Sequence, residues 1–390
     1  MRFALLGDDP QAITLAEAAV AAGHELTWTG ESRAAAERLA RLAPAALRDQ
    51  SWESLVAASH VDALLVGRSA SPERIEQVRL LAQAGVAMLI VHPLCLSPTF
   101  HFELDMIREE TRGVLRPYLP QSAHPAVPRM ASLCRNAEVI GMLEQVVLER
   151  TLEARDKEAV MAAYAQDIDL LQQICGPFER LGALGVMRGD EAAYRRLAVQ
   201  MTTSDGLGVR WSVGPPEGTP GALLTLAGGS GAAVLTMFDD RPWRLQIRAA
   251  ESPSGMANEE SFDAPDSAAA AIDSMAAAVE QGDDGTAWLR AARSIELVDA
   301  VERSVEKGRT IELYEQRPSE AATFKGMMSA AGCGLLLLGL LLMLLVALGD
   351  ALGLPLTRYW YVALLAVLAV FLLLQLLPSF VLRERDSDRQ

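Results

Sequence analysis

The sequence predicts an α/β domain with a parallel Rossmann-like sheet, an α+β domain with a large, mainly antiparallel sheet, and two transmembrane helices. Three observations lead to this prediction. Over residues 1–122, short apolar runs alternate with Ala-rich amphipathic segments. Over residues 123–318, strand-like runs follow one another with turn residues between them. Near the C-terminus, stretches 326–349 and 359–382 are uncharged and apolar.

In the first domain, strands and helices alternate strictly. The predicted strands are residues 3–6, 26–29, 63–66, 87–91 and 114–118, and the predicted helices are residues 10–22, 34–42, 72–84 and 99–110. Pro10 and Pro72 stand where helices begin, and Gly23 and Gly85 stand where they end. Such alternation predicts a parallel sheet with helices on both faces.

In the second domain, consecutive strands without intervening helices predict antiparallel pairing. The predicted strands are residues 144–152, 193–203, 208–213, 222–227, 232–238 and 244–249. Helices over residues 156–175, 267–281 and 284–307 are expected to cover one face of this sheet. The Ser-, Pro- and acid-rich segment 251–266 is expected to be an exposed loop.

The two apolar stretches predict a membrane hairpin after a linker at 319–325. Each spans roughly 36 Å as a helix, enough for a hydrocarbon core of about 30 Å. A buried core hairpin is the alternative, and the nearly unbroken Leu run disfavours it. Arg and Lys flank both outer ends, including the tail at 383–390, so the body and both termini are expected in the cytoplasm at the cytoplasmic membrane.

Composition narrows the functional classes. The net charge of −15 disfavours nucleic-acid binding. The chain has 4 Cys without CxxC spacing and 5 His without an HExxH pair, so we expect reduced thiols and no zinc or other metal site. The N-terminus lacks a full apolar signal core, so no signal peptide is expected. Two spans without charged residues also disfavour a transporter.

The loop after the first strand is where a dinucleotide-binding fold would carry GxGxxG. Here the sequence reads Gly7-Asp8-Asp9-Pro10-Gln11-Ala12, so only the first glycine is present. Asp9 before Pro10 predicts a helix N-cap, with a carboxylate on the amides that a phosphate would otherwise use. The second strand ends at Gly30 with no acid to bind a ribose, so Glu31 or Arg33 would have to substitute. Ordinary NAD binding is therefore disfavoured.

The order of several segments resembles the Gfo/Idh/MocA oxidoreductases over roughly residues 1–315. The matching segments are 61–66, 84–94, 166–171, 175–177 and 283–313. The resemblance implies a Rossmann-like domain, a second domain with a large sheet that packs against a copy in another subunit, and NAD(P)-dependent chemistry. A homo-oligomer formed through this sheet is therefore expected by resemblance.

This chain departs from that family at the positions that carry the chemistry. The family's lysine aligns with His92, and its Asp and His align with Ala162 and Gln166. Neither an amide nor a methyl group can act as a base near neutral pH. The first hypothesis is therefore a membrane-anchored, catalytically degenerate binding or scaffolding module without a cofactor. The alternative is an active NAD(P)-dependent dehydrogenase of a sugar or cyclitol derivative in which His92 is the acid or base.

Overall fold

The computed structural model describes residues 1–31, 35–48, 51–56, 61–69, 71–184, 191–214, 221–239, 241–249 and 258–313. The predicted spans and cytoplasmic tail, residues 326–390, lie outside these described residues, as do Arg33 and residues 314–325. Within the described part, no helix combines the length and apolar character that crossing a membrane requires.

The first sheet confirms the Rossmann-like prediction. Its elements are β1 Arg2–Leu6, α1 Pro10–Ala21, β2 Glu25–Gly30, α2 Ala36–Leu42, β3 Leu47–Arg48, β4 Ala63–Val66, α3 Pro72–Gln83, β5 Met88–Val91, α4 Pro98–Thr111 and β6 Leu115–Tyr118. All neighbouring strands are parallel, in the order β3-β2-β1-β4-β5-β6. The strand order therefore reverses between β1 and β4, where such folds place their ligand crevice.

The second sheet has nine described strands. The elements are α5 Ala126–Arg135, α6 Ala137–Ile140, β7 Leu143–Thr151, α7 Lys157–Cys175, β8 Phe178–Leu184, β9 Ala198–Thr203, β10 Gly208–Val213, β11 Gly221–Gly228, β12 Gly231–Phe238, β13 Trp243–Ala249, β14 Asn258–Phe262, α8 Ser267–Gln281, α9 Thr286–Lys307 and β15 Ile311–Glu312. The order is β14-β13-β12-β11-β7-β10-β9-β8-β15, and β7 with β10 is the one parallel pair. A mainly antiparallel sheet is therefore confirmed.

Helix α8 covers the first sheet, so the prediction that it covers the second is wrong. Ala268, Ile272 and Met275 are buried in one cluster with Phe3 and Leu15. The physical reason is close packing between α8 and α1, because both helices present small Ala side chains to each other. Helix α9 contacts α4 and β6 as well as α7 and β8.

Other elements also differ from the prediction, and β3, α6 and β8 are among those that the sequence did not predict. Strand β14 lies within the predicted loop 251–266, because an edge strand tolerates acidic residues and pairs along one side only. Residues 191–196 form a 3₁₀ helix before β9, where a single long strand was expected. Helix α5 was not predicted, although Pro128 lies in its first turn, where a helix needs no amide donor.

Candidate functional site

The carboxyl ends of β1, β2 and β4 meet at the point where the strand order reverses. Gly7 follows β1, Glu31 follows β2 and Gly67 follows β4. The Gly7 amide donates to the Gly30 carbonyl at 2.9 Å, and the Gly67 amide donates to the Leu6 carbonyl at 2.9 Å. The three loops are thus held together by backbone hydrogen bonds at the expected ligand crevice.

Asp9 caps helix α1, as the sequence predicts. Its Oδ1 accepts from the Gln11 amide at 2.8 Å and from the Ala12 amide at 3.4 Å. Ala12 is fully buried, and a Cβ added at Gly67 would lie 2.9 Å from the Asp9 Cβ. Asp8 is exposed beside them. The amides at this helix N-terminus, which bind phosphate in dinucleotide folds, are therefore occupied by a side-chain carboxylate.

Arg74, in the first turn of α3, fills the space behind Gly7. Its guanidinium donates to the Leu6 carbonyl at 3.1 Å, the Gly67 carbonyl at 3.2 Å and Gln77 Oε1 at 3.0 Å. The residue is only 4% exposed. A Cβ built on Gly7, whose φ is +108°, would lie 2.7 Å from Arg74 Nη1. One cation thus links the ends of β1 and β4.

Glu31 completes this network at the end of β2. Its carboxylate accepts from Arg74 Nη2 at 2.6 Å and from Gln77 Nε2 at 2.6 Å. Partial burial works to raise the pKa of Glu31, but the hydrogen bonds from Gln77 and Arg74 outweigh it and lower the pKa overall. The acid expected to bind a ribose hydroxyl is thus present, with both of its oxygens already engaged by protein groups.

His92 follows β5, and its ring points into the protein interior. Nε2 lies 2.9 Å from Ser294 Oγ on α9, and that hydroxyl donates to the Ala291 carbonyl. The ring is therefore the donor in this contact. Burial, followed by the nearby His101 and Arg68, lowers the pKa of His92 well below 6.5, so the ring is neutral. The ring is thus anchored by a side-chain hydroxyl of α9.

A cleft of about 680 Å³ opens beside the segment that follows His92. Residues 93–96, Arg68 and the N-terminal part of α7 line it. Ala162 contributes a methyl group to the wall, and Gln166 donates from Nε2 to the His92 carbonyl at 2.9 Å. The structure therefore brings together His92, Ala162 and Gln166, the three positions that align with the family's catalytic residues. The Gln166 side chain binds the His92 backbone carbonyl and does not line the cleft.

The charges around the cleft are mixed. Lys157 Nζ pairs with Glu302 at 3.0 Å, and Asp156 caps α7 through the Ala159 amide at 3.0 Å. Arg68 donates to the His92 carbonyl at 3.2 Å, and among the described residues its buried Nε has no hydrogen-bond partner. Burial lowers the pKa of Arg68, against the opposing effect of Asp9 and Glu158. Arg68 is thus a partly buried cation at the cleft wall.

Sequence reasoning found Gly7, Asp9 and Glu31 but missed Arg74, Arg68 and the serine that anchors His92. One signal was available for Arg74, which precedes Val78 and Leu81 at helical spacing and so falls on the apolar face of α3. Arg68 and Ser294 reach the site only through tertiary packing. Within the described ranges, no group of three His, Cys, Asp or Glu side chains is arranged to hold a metal ion.

Comparison with solved structures identifies the fold. KijD10, a 3-ketoreductase from Actinomadura kijaniata solved with NADP, superposes with a TM-score of 0.67 at 20% identity, covering 78% of this chain and 97% of that one. A putative myo-inositol dehydrogenase from Sinorhizobium meliloti gives 0.62 at 18% identity, covering 80% and 100%. A putative NADPH-dependent oxidoreductase from Desulfitobacterium hafniense gives 0.67 at 16% identity, covering 80% and 97%.

The chain has the Gfo/Idh/MocA-type oxidoreductase fold. No family model matches the sequence, and no curated protein sequence matches it either. The Gfo/Idh/MocA-type fold is thus recognisable from the arrangement of its elements at low sequence identity.

Proposed function

We propose that this protein is a catalytically degenerate, membrane-anchored protein of the Gfo/Idh/MocA-type fold that works as a binding or scaffolding module. The observation that carries the proposal is the Asp9 carboxylate on the Gln11 and Ala12 amides. A pyrophosphate would have to displace a covalently attached anion from those donors and then lie close to it. Two like charges about 4 to 6 Å apart repel each other by a few kcal/mol in a partly buried site.

The buried network supports the same proposal. Arg74 makes four hydrogen bonds within the protein, so its charge is not available to a phosphate. Glu31 already accepts one hydrogen bond on each oxygen, so only its second lone pairs remain for a ribose hydroxyl. The occupied cap amides and the internally bonded Arg74 are the features of the crevice that disfavour a dinucleotide. The neutral, inward-facing His92 ring likewise supports a role in packing instead of proton transfer.

The cleft offers the place for a ligand in this proposal. Its volume of about 680 Å³ is within the usual range for small-molecule sites. Arg68 is half-buried at its wall, and its buried Nε has no hydrogen-bond partner in the described structure, whereas Lys157 is already paired with Glu302. We expect a small ligand with an anionic or strongly accepting oxygen group at Arg68. The Arg68→Gln variant is expected to lose any thermal stabilisation that such ligands give the full chain.

Binding of reduced nicotinamide dinucleotides to the full chain in detergent tests the proposal. We expect no saturable change in NADH or NADPH fluorescence with wild-type protein. Asp9→Gly frees the helix amides, whereas Asp8→Gly removes a neighbouring carboxylate and leaves the cap in place. If the Asp9 carboxylate on the helix amides excludes the dinucleotide, weak NADPH binding is expected for Asp9→Gly and no binding for Asp8→Gly.

The second candidate function is an active NAD(P)-dependent dehydrogenase of a sugar or cyclitol derivative using His92. It is favoured by the fold, because the similar solved structures include complexes with NADP, NAD and NADH. Micromolar binding of NADH or NADPH to wild-type protein, with hydride transfer that is lost in His92→Ala, would establish this function and overturn the degenerate assignment.

Membrane anchoring through residues 326–382 is part of the proposal and has its own test. We expect the full chain to remain with membranes after an alkaline wash. Placing one arginine in each span, Leu340→Arg and Leu372→Arg, costs about 2.5–3.5 kcal/mol of insertion free energy per residue at a helix centre and is expected to release the protein. A wild-type chain that washes off would refute the anchor.

A further inference from the structure

Two cysteines lie together at one edge of the second domain, away from the cleft. Cys134 is in the last turn of α5, and Cys175 is the last residue of α7. Their side chains line one cavity, pack at the margin of the second domain's core and influence each other's pKa. Neither is fully buried, and both are free thiols. The fold has therefore paired two cysteines that are distant in sequence.

Both thiols line a cavity of about 780 Å³. The cavity walls come from the ends of α5 and α7 and from the segments that lead into β7 and β10, and they include Arg135, Glu144 and Asp205. A volume of this size accommodates a small molecule beside the sulfur atoms. The pair is thus accessible to a reagent from solvent.

The two thiols differ in acidity. The hydrogen bond from Cys175, with help from Arg135, lowers the pKa of Cys134 against the effects of burial and Asp205. The same hydrogen bond, burial and Asp205 raise the pKa of Cys175 well above 9. A thiolate is the attacking species in disulfide exchange, so Cys134 is suited to attack and Cys175 to resolve.

We propose that Cys134 and Cys175 form a reversible disulfide, a redox site in the second domain whose substrate is a small-molecule disulfide of the glutathione class. The Cys134 thiolate attacks one sulfur of the substrate RSSR, which gives a Cys134–S–S–R bond and releases one RS⁻. Cys175, after losing its proton to solvent, attacks the Cys134 sulfur and releases the second RS⁻. The protein dithiol is oxidised by two electrons, and RSSR is reduced to two RSH.

The disulfide has a defined geometry that the two side chains must reach within their shared cavity. Its sulfur atoms lie about 2.05 Å apart and its Cβ atoms about 4 Å apart. Both residues lie at helix ends, where a final turn can adjust without moving the rest of the helix. The disulfide would join the end of α5 to the end of α7.

Oxidised glutathione is the probe for the test on the full chain. After incubation, free thiols are alkylated without reduction, and the protein is cut with trypsin. We expect a disulfide-linked pair of peptides covering residues 130–135 and 158–180. Reduced glutathione should reverse it. Absence of this linked pair after complete oxidation of Cys134 would overturn the proposal.

Single variants assign the two roles. In Cys175→Ser, the mixed disulfide with glutathione should accumulate on Cys134, because no resolving thiol remains. Cys95 serves as the internal reference, because it is buried and burial raises its pKa. In Cys134→Ser, the amount of glutathione attached to Cys175 should not exceed the amount attached to Cys95. The Cys95→Ser variant should form the linked peptides like wild type. Glutathione labelling of Cys134 that is no faster than labelling of Cys175 and Cys95 would refute the assignment.

Discussion

Arg74 and Glu31 form an ion pair across the carboxyl ends of the first sheet, with Nη2 2.6 Å from Oε2. The arginine side chain is 5% exposed and the glutamate side chain is 50% exposed, so the pair runs from the interior to the surface. In doing so it crosses the crevice between β1, β2 and β4. The pair therefore stabilises the strand ends at the place where other proteins of this fold hold a cofactor.

Arg74→Met is expected to destabilise the protein by about 3 kcal/mol or more, because it leaves the Leu6 and Gly67 carbonyls without their donor and breaks a partly buried pair. Urea unfolding measures this change. Arg79→Met, on the same helix, removes partly exposed pairs with Glu76 and Glu103 and should cost about 1 kcal/mol, less than Arg74→Met. Equal losses in the two variants would refute a structural role for Arg74.

Gly7→Ala is expected to be more destabilising than Gly23→Ala. Both glycines have a positive φ, +108° and +83°, so both substitutions carry backbone strain. At Gly23 nothing lies within 4 Å of an added Cβ, whereas at Gly7 the Cβ meets Arg74, which four hydrogen bonds hold in place. Thermal unfolding of the two variants compares them. A midpoint for Gly7→Ala at or above that of Gly23→Ala would show that Arg74 moves freely.

Asp167→Asn is expected to cost about 3–5 kcal/mol in the free energy of unfolding. Asp167 is fully buried, accepts from Trp211 Nε1 at 2.8 Å and pairs with the buried Arg150, which the variant leaves without its counter-charge. Glu260→Gln is the control, because its pair with Arg129 is partly exposed and should contribute less than about 1 kcal/mol. Urea denaturation that finds the two losses equal would contradict this view of the core.

Stability is expected to fall as the pH drops from about 6.5 towards 4. Burial lowers the pKa of His101 from 6.5 to about 4, and that of His124 likewise to about 4. Between these pH values the unfolded chain binds more protons than the folded chain. The contribution of each neutral histidine to stability is therefore fully present above the pKa of the unfolded chain, 6.5, and is lost as the pH falls towards 4. For His101 the effect is on the order of 3 kcal/mol.

His101→Asn tests this assignment through the pH dependence of the thermal midpoint. The variant should show a shallower decline between pH 6.5 and 4 than wild type. Measurement at pH 8 separates the loss of the stacking contact with Trp288, whose ring centroid is 5.7 Å away, from the effect of protonation. An unchanged slope below pH 6.5 would rule out His101 as a contributor.

Most of the first domain could be predicted because its signals are local. Buried parallel strands read as short apolar runs, and Ser or Asp before Pro marks where α1, α3 and α4 begin. The Asp9 cap was predictable for the same reason, since it depends on residues two and three positions away. Arg74 was harder, because its partners are Leu6 and Glu31, and only the folded sheet brings them near.

The second domain was predicted less completely because edge strands carry weak signals. Strands β14 and β15 pair along one side only, and β14 is mostly polar. The paired thiols of Cys134 and Cys175 depend on how α5 contacts α7, and nothing in their sequence spacing indicates that contact. The predicted homo-oligomer and membrane hairpin stay predictions.

The packing of α8 against α1 affects how the protein is made. The interior of the first sheet is completed by Ile272 and Met275 on one face and by Trp288 on the other. A nascent chain that has emerged only as far as β6 therefore exposes apolar surface that later residues must cover. We therefore expect the first sheet to bury its apolar faces fully only after residue 288 has been synthesised.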